Sequence, residues 1–224
     1  SKLISFELPD TIYNITEKLG NNTFSYQMLD AMGGIGNDTK ITLREGKYTS
    51  TTLRAEIVHQ LNDSISGTPF TVTLGADNGF ITITHSSLNF VLRFPGIKNK
   101  INLGYILGFR DDVVHSIDES ATATAIGDFD FNNYFYLSFD DYQRSVNHNH
   151  FAIMNKNFIT KNIFAKIKNK QDDNNSDYFV RKNYFGPVTL EKVSFELLDR
   201  YGNALDLKGL DYSFSVEVQL LYKY

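Results

Sequence analysis

Cysteine and tryptophan are missing from this 224-residue chain, and proline occurs only four times. Without cysteine there is no disulfide framework, no thiolate nucleophile and no sulfur ligand for zinc, which fits a reducing compartment. No apolar run approaches the roughly 20 residues that a helix needs to cross a bilayer. The N-terminal S-K-L-I-S-F-E-L is too short in its apolar run, and too alternating, to read as a secretory signal. Basic excess is lacking as well: the formal net charge is −4, so the broad positive field of a general nucleic-acid binder is not there.

Aromatic residues are plentiful, with 18 Phe and 13 Tyr in a chain that is 42% hydrophobic. Aromatic and β-branched side chains favour pleated, half-buried surfaces. Apolar and polar residues alternate over Leu3–Leu8, and Phe24–Leu29, Lys40–Leu43, Leu88–Phe94, Tyr134–Phe139 and Ile163–Ile167 also read as strands. The clearest alternation is C-terminal: V-S-F-E-L-L at Val193–Leu198, a turn at Arg200–Asn203, then Y-S-F-S-V-E-V-Q-L-L-Y at Tyr212–Tyr222. Period two marks strands with one buried face, and these two segments read as a closing hairpin. A second hairpin is expected where Phe70–Leu74 and Phe80–Thr84 flank G-A-D-N-G.

One helix stands out, over Ser50–Ser64. Leu53, Ile57, Val58 and Leu61 form a single apolar stripe, and Ser50, Thr51 or Thr52 can cap it. In I-N-L-G-Y-I-L-G-F at Ile101–Phe109, Gly104 and Gly108 point to close backbone contact. About ten short strands, one helix and long connections favour a sandwich or barrel; an α/β fold would repeat helices between strands. The chain reads as a single domain, 1-224, with an irregular insertion at about 110-162.

Few segments look chemical. His148 and His150 form the one close histidine pair, with Asp140 and Asp141 the nearest carboxylates. A structural zinc takes three or four clear ligands, so no metal is assigned, and the pair is read as a contact that weakens in acid. Asp172–Asp177 has a calcium-loop composition without the ligand spacing, the glycine or the closing glutamate. Asp128 and Asp130 alternate with Phe129 and Phe131; two acids support glycoside hydrolysis only at a set separation, and no catalytic role is assigned. Ala31–Asp38 is glycine-rich but lacks the phosphate-loop order, so it reads as a turn. Arg144, Lys156, Lys161, Lys166, Lys168 and Lys170 interleave with Phe151, Phe158 and Phe164. Basic and aromatic residues together suit single-stranded nucleic acid, but the neighbouring aspartates argue against it. Glycosylation acceptor patterns begin at Asn14, Asn21, Asn37, Asn62 and Asn174 and matter only for a secreted protein. The expectation is a non-enzyme without cofactors.

Several pieces together carry a resemblance. Ile41–Thr49, I-T-L-R-E-G-K-Y-T, leads to the helix, the hairpin and Leu103-Gly104-Tyr105 through Gly108-Phe109. Much later come Val193–Asp199, Gly202, Leu205-Asp206-Leu207 and Tyr212–Val218. Over roughly 39–110 and 190–219 this order resembles penton-type and minor capsid proteins of large DNA viruses, virophages and related elements. The resemblance implies an all-β fold: a single jelly roll of two antiparallel sheets, with one short amphipathic helix and long loops. It also implies a structural role in an icosahedral capsid, assembled in the host cell, acting by self-association (a pentamer for the penton type) and by packing against the major capsid protein.

Assembly by a ring needs two different contact patches, and such patches centre on aromatics. Tyr134, Tyr136, Tyr142, His148, His150 and Phe151 are the candidate contact residues, with Asn132, Asn133, Asn147 and Asn149 beside them. The rival function is a glycan- or receptor-binding sandwich, such as a virion decoration or fibre module, with a Tyr-lined groove.

Overall fold

Most of the segments read as strands are strands in the computed structural model. It describes residues 1–9, 12–30, 32, 34–67, 69–129, 134–142, 152–154, 157–159, 162–168, 184 and 188–219. In chain order the elements are β1 (Lys2–Glu7), β2 (Thr23–Met28), β3 (Thr39–Thr42), α1 (Ser50–Asp63), β4 (Phe70–Leu74), β5 (Ile81–His85), β6 (Phe90–Arg93) and α2 (Leu103–Leu107). They continue with β7 (Val113–His115), β8 (Ser120–Thr122), β9 (Tyr134–Asp140), β10 (Ala152–Met154), β11 (Asn157–Ile159), β12 (Ile163–Lys168), β13 (Ser194–Leu198) and β14 (Ser213–Glu217). The described residues form two compact units, one made of Ser1–Ile12 with Asn132–Tyr224, the other of Tyr13–Phe131.

The unit Tyr13–Phe131 contains two antiparallel sheets, β3-β2-β6-β7 and β4-β5-β8. The expected hairpin forms in register, from Phe70 opposite His85 to Leu74 opposite Ile81. Helix α1 buries Leu53, Ile57 and Leu61 and packs on β4 and β3. Its cap is Thr49, one residue before the run expected to supply it. Thr49 Oγ1 accepts from the Thr52 N–H, and Thr52 Oγ1 accepts from the Thr49 N–H, so two otherwise orphaned donors are satisfied. Helix α2 is a single turn, capped by Asn102 and ended by Gly108 at φ 97°. A Cβ on Gly104 would run into the Phe94 ring, and one on Gly108 into the Ala125 carbonyl, so both glycines are required by close approach.

In the other unit, β9 is the centre of the sheet β12-β9-β13, and β1 pairs with β14 in a two-stranded sheet. Leu3 and Phe6 of β1 join Phe135, Leu137, Phe139, Phe164, Ile167 and Leu197 in one core, with Phe195, Tyr212, Phe214 and Val216 packed against it. Each fully buried large apolar side chain of this kind contributes about 1.5–3 kcal/mol. Strands β10 and β11 pair only with each other.

The jelly roll is therefore corrected. The fold is mostly β with some helix, but among the described residues its strands fall into four separate sheets and one short ribbon, none of them closed. One of these described sheets has four strands, whereas a jelly roll faces two such sheets across a common core. The C-terminal hairpin forms only as a short fold-back across the expected turn, where Leu198 bridges Ala204 and the Leu205 N–H donates to the Leu197 carbonyl; β13 itself pairs with β9, and β14 with β1. Period two fixes which face of a strand is buried and leaves its neighbour open.

Candidate functional site

The candidate contact residues separate in the structure. In β9, Phe135, Leu137 and Phe139 point into the main core, while Tyr134 and Tyr136 take the opposite face with Ile163 and Leu198. Tyr136 is only 6% exposed, and burial first, then neighbouring Tyr134, pushes its phenol up to about 12. Tyr134 meets it edge-on, with ring centroids 5.5 Å apart, and the Lys166 ammonium lies 3.8 Å from the Tyr134 centroid. These two tyrosines are thus engaged within their own sheet, Tyr136 as a core residue and Tyr134 as the stacking partner of a lysine.

Tyr142 differs. It is 55% exposed and sits at φ 55°, a left-handed conformation held by its N–H donating to Asp140 Oδ1 at 2.9 Å. The Lys192 ammonium lies 4.8 Å from its ring centroid. Beside it Asp141 is buried, and its Oδ2 accepts from the Tyr184 hydroxyl at 2.6 Å. Burial, followed by that hydrogen bond, raises the Tyr184 phenol well above its ordinary range. Asp140 and Asp141, the carboxylates nearest in sequence to the histidine pair, therefore both serve local order. His148, His150 and Phe151 lie outside the described residues, as do Asn132, Asn133, Asn147 and Asn149.

The second contact feature is the outer edge of β14. Antiparallel pairing with β1 aligns Leu3 with Val216 and Phe6 with Phe214. The β1 members of these pairs are buried, at 2% and 8% exposure. Their β14 partners remain half-exposed, and Val218 just beyond is 47% exposed. Among the described residues β1 and β14 pair only with each other; the β1 side chains sit within the core cluster, while those of β14 pack against its margin. Strand β1 carries a register shift between Leu3 and Ser5, which bends it, whereas β14 runs regularly from Ser213 to Glu217. A regular edge strand presents backbone donors and acceptors to another strand. Sequence alternation located this strand but could not say on which side it stays unpaired.

Phe164, the described aromatic of the basic stretch with a defined side chain, is a core residue tilted against Phe139, so it offers no ring to a base. Arg144, Lys156, Lys161, Lys170 and Asp172–Asp177 lie outside the described residues. Asp128 is half-buried with its N–H bonded to the Ile106 carbonyl, and Asp130 falls outside. Asp30 Oδ1 accepts the N–H groups of Met32 and Gly34, which folds the glycine-rich loop into a turn. Among the described residues, no group of three or more His, Asp or Glu is placed to hold a metal, and no helix is long and apolar enough to cross a membrane.

The acceptor asparagines are mostly occupied. Asn14 Oδ1 accepts from the Tyr48 N–H at 2.7 Å, and its Nδ2 donates to the Tyr48 carbonyl, also at 2.7 Å. Asn21 Oδ1 accepts from the Thr16 N–H and its Nδ2 donates to the Asn14 carbonyl. Asn62 brackets Phe70 in the same way. Buried amides that satisfy backbone groups on both sides cannot carry a sugar in the folded unit; Asn37 is exposed. No protein-family model matches this chain, and no curated protein is significantly similar to it.

Proposed function

We propose that the chain is a structural component of a viral shell, of the penton or minor capsid kind, which works by self-association and by packing against the major capsid protein. The sequence pattern over 39–110 and 190–219 supports the capsid reading. The single observation that carries self-association is the regular, half-exposed edge of β14, with Phe214, Val216 and Val218 incompletely covered. A strand from a second copy laid along this edge extends the sheet, satisfies its backbone groups and covers the same apolar face. The exposed Tyr142 supplies a separate aromatic contact, and a closed ring needs two unlike patches. No chemistry is required of the chain, and the shell is where it resides.

Native mass spectrometry and sedimentation of the full chain test this. A discrete oligomer that dissociates in Val218→Lys supports the reading. A strict monomer at all concentrations, unchanged by added major capsid protein, overturns it. Specific retention of the monomer on a glycan array favours the receptor-binding role instead.

A further inference from the structure

His85 ends β5, and the chain there leaves the sheet β4-β5-β8 for β6 in the sheet β3-β2-β6-β7. The ring is 4% exposed and meets Phe70 edge-on at 4.8 Å between centroids. Its Nδ1 accepts two backbone N–H groups of the connection, Ser87 at 3.2 Å and Leu88 at 3.1 Å. Two donors aimed at one ring nitrogen require a lone pair on it. The imidazole is therefore neutral, with its proton on Nε2.

We propose that this connection is an acid-sensitive latch: protonation of His85 at Nδ1 replaces the lone pair with a third N–H, breaks both hydrogen bonds and releases the turn that joins the two sheets. The atoms balance simply, since one proton from solvent is taken up and nothing else changes. The rest of the turn is anchored separately. The His85 N–H donates to the Glu119 carbonyl, the Ser86 N–H to the Pro69 carbonyl, and Asn89 Oδ1 accepts from the Ser116 hydroxyl and the Glu119 N–H. Opening is thus confined to the segment around Ser87 and Leu88.

The charges around the ring are few. Strand β4 carries none, nor does the connection Ser86–Asn89. On α1, packed against β4, His59 and Asp63 are both exposed. At the distal end of β6, Arg93 faces Gln27 and Asp38. Burial pushes the His85 imidazole below its ordinary value, and the Glu119 carboxylate opposes this. A histidine with a lowered folded value is protonated first in the opened chain. The latch is therefore fully stable above about pH 6.5, the ordinary histidine value, and weakens as pH falls through it. Below the folded midpoint the loss levels off.

Amide exchange of the full chain between about pH 7.5 and about pH 5, corrected for intrinsic rates, reads this directly. Protection at Ser87 and Leu88 is expected to fall up to roughly tenfold per pH unit between about pH 6.5 and the folded midpoint, while α1 amides keep theirs. His85→Asn keeps an acceptor oxygen near the Nδ1 position without a titrating group, so its turn protection should no longer depend on pH. Should that variant fail to fold, magnetic-resonance titration of His85 in the unmodified chain decides. A midpoint below about 6.5 with the proton on Nε2 supports the latch. A midpoint at or above that value, or protection of Ser87 and Leu88 that ignores pH, overturns it.

Discussion

Both units pack aromatic rings, as where Phe94 stacks on Phe24 and Phe109 in Tyr13–Phe131, but they use their polar side chains differently. In Tyr13–Phe131, asparagines reach across the chain to bracket backbone: Asn14 with Tyr48, Asn62 with Phe70, Asn89 with Ser116 and Glu119, and Asn102 with Pro95. In the unit of Ser1–Ile12 with Asn132–Tyr224, aromatic rings make the long-range contacts. Phe139 stacks on Phe195 at 4.7 Å, Phe195 meets Phe214 at 4.6 Å, and Phe6 meets Phe135 at 5.4 Å. Its described polar contacts include local aspartate turns, as at Asp140, Asp199 and Asp206, beside the longer-range pairs Tyr184–Asp141 and Ser213–Glu7. Amide brackets fix loops against a sealed core. A ring stack buries apolar area without fixing loops, and both units have edge strands among the described residues, β14 in the unit of Ser1–Ile12 with Asn132–Tyr224 and β3, β7, β4 and β8 in Tyr13–Phe131.

Breaking the ring stack should have the largest effect. Phe139→Ala removes a ring that touches both Phe164 and Phe195 and should cost about 3–5 kcal/mol. Amide exchange should locate the loss in β9, β12 and β13; if protection falls equally in β2 and β6, the contrast between the units is wrong. Breaking an amide bracket comes next. Asn21→Ala orphans the Thr16 N–H and the Asn14 carbonyl inside the unit Tyr13–Phe131, at about 1–3 kcal/mol by chemical denaturation. Thr49→Ala opens the α1 capping box and should cost about 1 kcal/mol, seen as a lower thermal midpoint. Smallest in stability is Val218→Lys, on an exposed edge position, which should change folding by under about 0.5 kcal/mol. The same substitution should weaken self-association about tenfold or more, because a lysine on the edge opposes strand addition. Equal association of Val218→Lys and unmodified chain would separate the β14 edge from assembly.

How much was legible depended on the range of the interaction. The stripe Leu53, Ile57, Leu61 announced α1 because helix periodicity is local, and its cap was misplaced by one residue because three neighbouring residues are all plausible caps. Strands β7 and β8, three residues each, are too short to show a period and exist because β6 and β5 offer them an edge. Tyr134 and Tyr136 looked like contact residues since tyrosine suits both a surface and a core. Their burial follows from β12 and β13 flanking β9, which no alternation within β9 can announce. The histidine that matters in the described fold, His85, stood at the end of a recognised hairpin. Its two N–H partners arise only from how the following turn folds back.

By itself the sequence determined where the longer strands extend, which face of those strands is apolar, where α1 forms and that Gly104 and Gly108 mark a close approach of the backbone. Those properties depend on neighbours a few residues apart and on sterics of single positions. Only the tertiary structure decided that β14 returns to β1, that β13 joins β9 and that no sheet closes. Strand partners far apart in sequence are chosen by the burial they achieve together, and a two-residue period carries no record of that choice.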